Sequence, residues 1–263
     1  HFFTKKGVVP AVDGVSISVP KSSIIGLVGE SGCGKSMAAM SIMQLIQKPG
    51  KIINGSIELE EDNLLTYSKD EMRNIRGNKI SMIFQEPMTA LNPVYTVGRQ
   101  VREAITIHHS DIGKKEAKQK VLDIFRAVGI PEPERRYNSY PHQLSGGLRQ
   151  RVMIGMAMVC NPKLMIADEP TTALDVTIEA QILSLMKNLQ KERDTSILMI
   201  THNLGVVAEV CDYIYVMYAG KVMEQANTFE LFKNTCHPYT DGLMKSIPKI
   251  TAEKQRLYNI EGV

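Results

Sequence analysis

The chain has 263 residues, of which 43% are hydrophobic and 22% charged, so it can bury a sizeable core. Its 31 lysines and arginines nearly balance its 28 acidic residues, leaving a formal net charge of only +3, which does not favour a nucleic-acid binder. The longest apolar run, Val152 to Cys160, has nine residues, and crossing a bilayer takes roughly 18 to 20. We therefore expect a soluble globular protein without a membrane-spanning helix.

An apolar stretch near the amino terminus predicts a buried strand, because Ile24–Val28 is uninterrupted and ends in a glycine-rich turn. Met37 to Gln47 follows and has a helical pattern. Comparable buried-strand runs recur at 164–167, 196–200 and 213–217. Strands that alternate with helices predict a largely parallel sheet with helices on both faces, which is an α/β fold.

The middle of the chain has a different pattern, because it is helical and charged from about Val97 to Met158 and is broken by a turn at 131–134. We interpret it as a helical subdomain inserted into the α/β core. From Cys236 onward the periodicity is weak, with prolines at 238 and 248. The predicted domains are a core at 1–92 and 159–235, a helical subdomain at 93–158 and the start of a C-terminal extension at 236–263.

The strongest local motif is a phosphate loop, since residues 29–36 match G-x-x-x-x-G-K-[ST] between a predicted strand and a predicted helix. In such a loop the glycines let backbone N–H groups converge on phosphate oxygens, and the helix N-terminus adds partial positive charge. We expect Lys35 to reach the β- and γ-phosphates and Ser36 to ligate Mg²⁺. The candidate nucleotide-binding residues of the loop are Gly29, Glu30, Ser31, Gly32, Cys33, Gly34, Lys35 and Ser36.

Two adjacent acids, Asp168 and Glu169, end the predicted strand at 164–167. If this strand runs parallel to the first, Asp168 would lie near the Mg²⁺ shell and hold the metal through water. Glu169 would then be placed to polarise an attacking water as the general base. A guanine-selective Asn-Lys-x-Asp is missing, because Asn78-Lys79 continues into Ile-Ser, so a GTPase is disfavoured.

A second turn that could bind phosphate, the Ser-Gly-Gly at 145–147, begins a predicted helix. A single bound nucleotide needs only one such phosphate-binding turn. The surrounding Leu-Ser-Gly-Gly-Leu-Arg-Gln-Arg resembles the signature sequence of ABC-transporter ATP-binding subunits. Gln85 resembles the Q-loop glutamine of that family, the Ala-Leu-Asp at 173–175 its D-loop, and His202 its switch histidine. The resemblance covers essentially the whole chain and implies a P-loop NTPase (RecA-like) core of ABC ATPase type.

Several short segments make the chain resemble the dipeptide/oligopeptide/nickel importer branch of this family. Maltose-type importers and exporters lack this combination of segments. The segments are Glu-Pro-Met-Thr-Ala-Leu-Asn-Pro at 86–93, Tyr-Pro-His-Gln at 140–143, Asp-Val-Thr-Ile-Glu-Ala-Gln at 175–181, and His-Pro-Tyr-Thr at 237–240 with Ser-Ile-Pro at 246–248. The chain is most similar to the dipeptide "D" type of subunit. The resemblance implies a Mg²⁺-dependent ATPase that powers uptake of di- or oligopeptides, with nickel import as the alternative.

The resemblance also implies how the second phosphate-binding turn is used, because subunits of this family work as head-to-tail dimers. The signature turn of one subunit would then contact ATP held by the phosphate loop of the other. It assigns the partner's ATP to Ser145, Gly146 and Gly147, catalysis to Glu169, His202, Lys35 and Gln85, and the metal to Ser36, Gln85 and Asp168. Gln85 would in addition act as a hinge between the core and the helical subdomain.

Adenine needs a flat apolar partner, which the family usually supplies as an aromatic residue near the N-terminus. Phe3 is our candidate, and Phe2 is the alternative. The surface from Met88 to Tyr95, with the helical subdomain, would receive a coupling helix of the permease.

The implied partners are a second ABC ATPase subunit, two transmembrane permease subunits and, indirectly, an extracytoplasmic solute-binding protein, without nucleic acid. The chain would thus lie peripherally at the cytoplasmic face of the membrane. The implied cofactors are ATP and Mg²⁺. The four cysteines contain no CxxC pair and do not match the spacing of an iron–sulfur cluster. A 4Fe-4S cluster would therefore need cysteines from a C-terminal tail absent here, and we expect both termini to continue.

Two other classes of protein share parts of this pattern. A soluble ABC-type ATPase of translation normally carries two cassettes in one chain, and one of DNA repair carries a very long coiled-coil insertion. A degenerate regulatory module would be expected to have lost Lys35, Glu169 or His202, and all three are present.

Overall fold

The computed structural model describes residues 1–85, 90–172 and 174–246. The strands, in chain order, are β1 (Phe2–Thr4), β2 (Gly7–Val9), β3 (Ile24–Val28), β4 (Glu58–Leu59), β5 (Asp62–Asn63), β6 (Ile80–Ile83), β7 (Leu164–Asp168), β8 (Ser196–Thr201), β9 (Tyr213–Tyr218) and β10 (Lys221–Asn227). The helices are α1 (Lys35–Ile42), α2 (Lys69–Ile75), α3 (Val97–His108), α4 (Lys114–Ala127), α5 (Pro133–Arg136), α6 (Gly146–Met158), α7 (Val176–Arg193), α8 (Leu204–Val210), α9 (Thr228–Lys233) and α10 (Pro238–Ser246).

The chain divides into two compact units. The first contains His1–Val19, Ile24–Ser56 and the described residues from Met199 onward, and the second contains Pro20–Ser23 and Ile57–Leu198. The phosphate loop therefore belongs to the first unit, and the two adjacent acids belong to the second.

In the first unit the fully buried strand β3 runs parallel to β9, with Ile25 opposite Tyr213, and β9 pairs antiparallel with β10. The carboxyl-terminal half of β8 lies next to β3 in the strand order. β1 and β2 form a separate antiparallel hairpin. Because β3 is apolar along its whole length, it is stable only with both faces covered, as the sequence predicts.

In the second unit β6 runs parallel to β7, with Ile80 opposite Leu164, and the amino-terminal half of β8 follows β7 in the strand order. The helices α3, α4 and α6 pack against one another. Buried residues four positions apart, such as Val97, Val101 and Ile105 on α3, form the apolar stripe that holds this packing. The predicted helical character of 97–158 is confirmed, but the turn predicted at 131–134 is wrong in its second half, because α5 begins at Pro133. The boundary of a separate subdomain at 93–158 stays a prediction.

The predicted strands are confirmed, but the predicted helix from Met37 to Gln47 is wrong at both ends. Helix α1 begins at Lys35, directly after Gly34, and ends at Ile42. Its end follows from Gln44, whose φ of 49° is left-handed and cannot continue a right-handed helix. In the part of the chain that the structure describes, every helix is too short or too polar to cross a membrane.

Candidate functional site

The phosphate loop joins β3 to α1 in the first unit, and two of its glycines are required by close backbone contacts. Gly34 has φ 108°, and a Cβ there would lie 2.2 Å from the carbonyl oxygen of Ala11. Gly29 has φ 155°, and a Cβ there would lie 2.1 Å from the carbonyl oxygen of Met217. Any side chain at either position would displace the loop, because atoms cannot approach so closely.

The ammonium group of Lys35 is buried within this loop. Its Nζ donates hydrogen bonds to the carbonyl oxygens of Gly29 and Glu30, each over 2.7 Å, and lies 3.7 Å from Sγ of Cys33. The loop's own backbone therefore holds the positive charge in place. Rotation of the lysine side chain away from these carbonyls would offer the cation to an anionic ligand.

The N-terminus of α1 completes the fit to a phosphate group. Helix α1 has no side-chain cap and no acidic residue in its first turn, so no carboxylate competes for its N–H groups. Ser31 and Gly32 are exposed at the loop tip, and a Cβ on Gly32 would meet open space. Ser36 lies in the first turn, where a hydroxyl oxygen suits Mg²⁺. The residues present thus fit a phosphate and its metal.

The two acids of the second unit differ in their surroundings. β7 ends at the buried Asp168, and Glu169 follows, half-buried, with φ 48°. A positive φ is uncommon for a residue other than glycine, and such conformations cluster at functional sites. The carboxylate of Glu169 accepts hydrogen bonds from Nε2 of Gln85 over 3.3 Å and from Oγ1 of Thr172 over 3.1 Å. Tertiary structure therefore brings two of the predicted catalytic residues together.

The turn that follows Glu169 is fixed by side chains that the sequence analysis did not single out. Gln150 on α6 is 1% exposed and donates a hydrogen bond to the carbonyl oxygen of Pro170. The hydroxyl of Thr171 donates to the carboxylate of Glu179 on α7 over 2.6 Å. The one sequence signal for Gln150 is a polar residue on an otherwise apolar helix face. Both contacts hold the backbone on the carboxyl side of Glu169.

The signature turn lies at the N-terminus of α6, also in the second unit. Ser145 is exposed, and its hydroxyl accepts the N–H of Leu148 over a long 3.4 Å, while Gly146 and Gly147 are the first helical residues. The hydroxyl proton of Ser145 is still available for a further acceptor. The turn is therefore a second helix N-terminus of a kind that suits anions.

His202 lies in the first unit, in the short turn between β8 and α8, where its side chain is exposed. The backbone around His202 is fixed by its two neighbours, because the N–H of Asn203 donates to Oγ1 of Thr201 over 3.0 Å. The side chain of Asn203 in turn accepts the N–H of Gly205 over 2.9 Å and caps α8. The imidazole is thus presented from a rigid turn at the carboxyl end of a buried strand.

The two candidates for adenine stacking point in different directions from β1, because alternate residues of a strand face opposite sides. Phe2 packs on Gly50, where a Cβ would lie 3.0 Å from its ring. Phe3 is 43% exposed, and the ammonium group of Lys51 lies 5.9 Å from its ring centroid. Phe3 is the more exposed of the two rings, and its stacking on adenine stays a prediction.

Several predictions concern metals, cysteines or residues outside the described ranges. The permease-docking residue Met88 and the first D-loop residue, Ala173, lie outside them. The four cysteines are free thiols, and the described residues contain no group of three or more His, Cys, Asp or Glu side chains arranged to hold a metal ion. Among the described residues of the predicted docking surface, Val94 and Tyr95 are exposed, whereas Leu91 is buried.

Comparison with known families gives two matches. Residues 12–172 match the ABC transporter family, and residues 223–263 match the C-terminal region of oligopeptide/dipeptide transporters. The oligopeptide transport ATP-binding protein AppD of Bacillus subtilis (strain 168) is 53% identical over all of this chain and 80% of its own length. The dipeptide transport ATP-binding protein DppD of Escherichia coli (strain K12) is 47% identical over all of this chain and 80% of its own length.

Solved structures with a similar fold agree with these matches. A dimeric post-hydrolysis state of the ATP-binding cassette MJ0796 bound to ADP and Pi has a TM-score of 0.75 and 26% identity, covering 86% of this chain and 94% of that one. The structure of cbiO1 from Clostridium perfringens, part of the ABC transporter complex cbiONQ, has a TM-score of 0.73 and 28% identity, covering 85% of this chain and 84% of that one. The predicted α/β fold of P-loop NTPase type is confirmed.

Proposed function

Because this chain belongs to the ABC transporter family of ATP-binding proteins, we propose that it is the ATP-hydrolysing subunit of a peptide importer. The observation that carries the ATPase part is the carboxylate of Glu169, which follows β7 and accepts hydrogen bonds from Gln85 and Thr172, because such an oriented carboxylate suits a general base. The peptide part is supported by the relatives of about half-identical sequence that are named for oligopeptide and dipeptide transport.

The phosphate loop supplies the binding groups in this proposal. Lys35 binds the β- and γ-phosphates once its ammonium group turns from the loop carbonyls, and the backbone N–H groups of residues 32–36 surround the phosphate oxygens. Ser36 would hold Mg²⁺ directly and Asp168 would hold it through water, with Gln85 as a further ligand. When bound, the ion neutralises charge on the phosphates. Phe3 stacks on the adenine.

Catalysis falls to Glu169 and His202. Glu169 takes the proton of the attacking water, and its carboxylate is oriented by the two side chains that donate to it. His202 contacts the γ-phosphate from its fixed turn and helps Glu169. Gln85 contacts Glu169 and follows β6 in the chain. Loss of the γ-phosphate would therefore change the position of Gln85 and, through it, that of the helices α3 to α6.

Pairing with a second ABC ATPase subunit, head to tail, is also part of the proposal. The signature turn would contact the γ-phosphate of ATP on the partner subunit through Ser145, Gly146 and Gly147. The exposed hydroxyl of Ser145 accepts one hydrogen bond within the chain and can still donate its own proton to a phosphate oxygen. The dimeric structure of the similar cassette MJ0796 supports the pairing of two such subunits.

The further proposed partners are two transmembrane permease subunits and, indirectly, an extracytoplasmic solute-binding protein, which place the chain peripherally at the cytoplasmic face of the membrane. The exposed Val94 and Tyr95 would lie on the docking surface. The proposed cofactors are ATP and Mg²⁺. An iron–sulfur cluster would need cysteines beyond the four in this sequence.

Reconstitution of the chain with its co-purifying permease and binding protein in vesicles tests the proposal. We expect ATP-dependent uptake of labelled di- or oligopeptides that stops when Glu169 is replaced by Gln. Uptake of nickel without peptide would favour the alternative substrate. ATP turnover that no permease stimulates, without uptake of either, would instead indicate a soluble ABC-type ATPase.

A further inference from the structure

The first turn of α10 contacts the phosphate loop, although more than 200 positions separate the two segments in sequence. The ring of Tyr239 is buried, and its hydroxyl accepts a hydrogen bond from the backbone N–H of Glu30 over 3.2 Å. Burial raises the pKa of Tyr239 to about 12, so the phenol keeps its proton at neutral pH. Both groups lie in the first unit.

The contact involves the same peptide group that holds Lys35. The carbonyl oxygen of Gly29 and the N–H of Glu30 belong to one planar peptide unit. Lys35 donates to that carbonyl oxygen over 2.7 Å, and Tyr239 accepts from that N–H over 3.2 Å. The lysine and the tyrosine therefore hold opposite edges of one peptide plane, so rotation of the plane would move both partners.

The turn that carries Tyr239 is itself anchored on β10. The carboxylate of Glu224 accepts the N–H of Cys236 over 2.8 Å and that of His237 over 3.1 Å. The N–H of Tyr239 donates to Nδ1 of His237 over 3.1 Å. Two hydrogen bonds thus tie the start of α10 to the strand and a third stabilises the turn itself, which leaves the phenol little freedom to leave the loop.

The ring of Tyr239 is also held by a packing contact. It packs on Tyr218 at the end of β9, with 4.6 Å between ring centroids. The turn after Tyr218 contacts the loop a second time, because the N–H of Gly220 donates to the carbonyl oxygen of Cys33 over 2.9 Å. The loop is therefore held at its second and fifth residues from the same side.

We propose that Tyr239 is a positioning residue of the phosphate loop, through which the segment after β10 controls how the loop presents Lys35 to nucleotide. The inference rests on the proposed function only in taking the nucleotide to be ATP. Because the contact is intact in the chain alone, its effect is present before nucleotide binds. Displacement of α10 would weaken nucleotide binding without changing any residue that touches the phosphates.

The test compares Tyr239→Phe with Tyr215→Phe. Both variants keep a buried ring and lose one hydroxyl, but the hydroxyl of Tyr215 accepts the N–H of Ser18 over 3.0 Å, away from the loop. The readout is the alkylation rate of each cysteine, measured by mass spectrometry without nucleotide. Cys33 in the loop is 7% exposed, as is Cys211, which reports on general unfolding.

We expect Tyr239→Phe to speed alkylation of Cys33 about fivefold, the change that corresponds to one typical hydrogen bond, and to leave Cys211 unchanged. In the active transporter the same variant should raise the KM for ATP about fivefold, with kcat within about twofold of the parent. An unchanged Cys33 rate, or an equal rise in Tyr215→Phe, would overturn the inference. The alkylation result does not depend on ATPase activity, so it separates a failure of this inference from a failure of the proposed function.

Discussion

The amide of Gln85 donates a hydrogen bond to the carboxylate of Glu169 over 3.3 Å, although 84 positions separate the two residues. Gln85 follows the end of β6, and Glu169 follows the end of β7. Because β6 and β7 are parallel neighbours, their carboxyl ends meet at one edge of the sheet. The register of two strands thus places the proposed general base beside the proposed hinge residue.

Replacing Glu169 by Gln removes the proposed base while keeping a side chain of the same size. We expect ATP turnover to fall at least about 100-fold, the range for loss of a general base, with nucleotide affinity unchanged and an ATP-bound dimer favoured. Phosphate release and equilibrium binding of ATP measure the two effects. The matched control is Glu192→Gln, an exposed acid near the end of α7, which should turn over normally. Normal turnover in Glu169→Gln would refute the general-base role.

Replacing Gln85 by Ala leaves Glu169 with the hydroxyl of Thr172 as its remaining donor of the two described. We expect kcat to fall about tenfold through lost orientation of the base, and the KM for ATP to rise by a smaller factor through the lost Mg²⁺ ligand. Steady-state kinetics with the reconstituted transporter measure both constants. A rise in KM at constant kcat would show instead that Gln85 acts in nucleotide binding.

Replacing Gly34 by Ala tests the close packing of the phosphate loop. The added methyl group would lie 2.2 Å from the carbonyl oxygen of Ala11, at a φ of 108° that side chains disfavour. We expect loss of measurable ATP binding, because the loop must shift. Gly113→Ala is the control, since its Cβ would meet open space and its φ of −69° is ordinary for alanine. ATP binding by Gly34→Ala at parent affinity would contradict this packing.

Replacing Gln150 by Leu keeps the bulk of a buried side chain but leaves the carbonyl oxygen of Pro170 without its donor. An unpaired buried carbonyl costs about 1–3 kcal/mol, so the free energy of unfolding should fall by that amount. Urea denaturation measures it. We also expect slower ATP turnover, since the backbone next to Glu169 loses its support. An unchanged free energy of unfolding would mean that water replaces the amide.

Replacing Glu224 by Gln tests the anchor of α10 through pH. Burial would raise the pKa of Glu224, but hydrogen bonds that include the N–H groups of Cys236 and His237 hold it below the ordinary value of 4.5. A carboxylate with a lowered pKa stabilises the fold above its unfolded-state pKa, and this stabilisation is lost as pH falls through the folded-state pKa. The parent should therefore exceed the variant in stability at pH 7, and the difference should shrink below about pH 4.5.

Thermal unfolding of both proteins across this pH range measures the difference. A stability difference that stays constant from pH 7 to acid would show that the charge of Glu224 has no part in the anchor.

The sequence by itself determined the buried strands, the phosphate loop at 29–36, the paired acids and the family, because each depends on residues that are close together in the chain. Apolar runs and glycine spacing are local patterns, and their physical consequences are local too. The sequence-based limits of α1 were wrong, because the left-handed backbone of Gln44 ends the helix and glutamine is not a residue type that indicates such a conformation.

Only the tertiary structure decided which distant side chains support the site. Gln85 with Glu169, Gln150 with Pro170 and Tyr239 with Glu30 are separated by 84, 20 and 209 positions. A hydrogen bond forms only within about 3.5 Å, and strand register and helix packing, which the periodicity of a sequence does not encode, set distances at that scale. The motifs therefore predict the reaction, and the tertiary structure determines which distant residues position the reacting side chains.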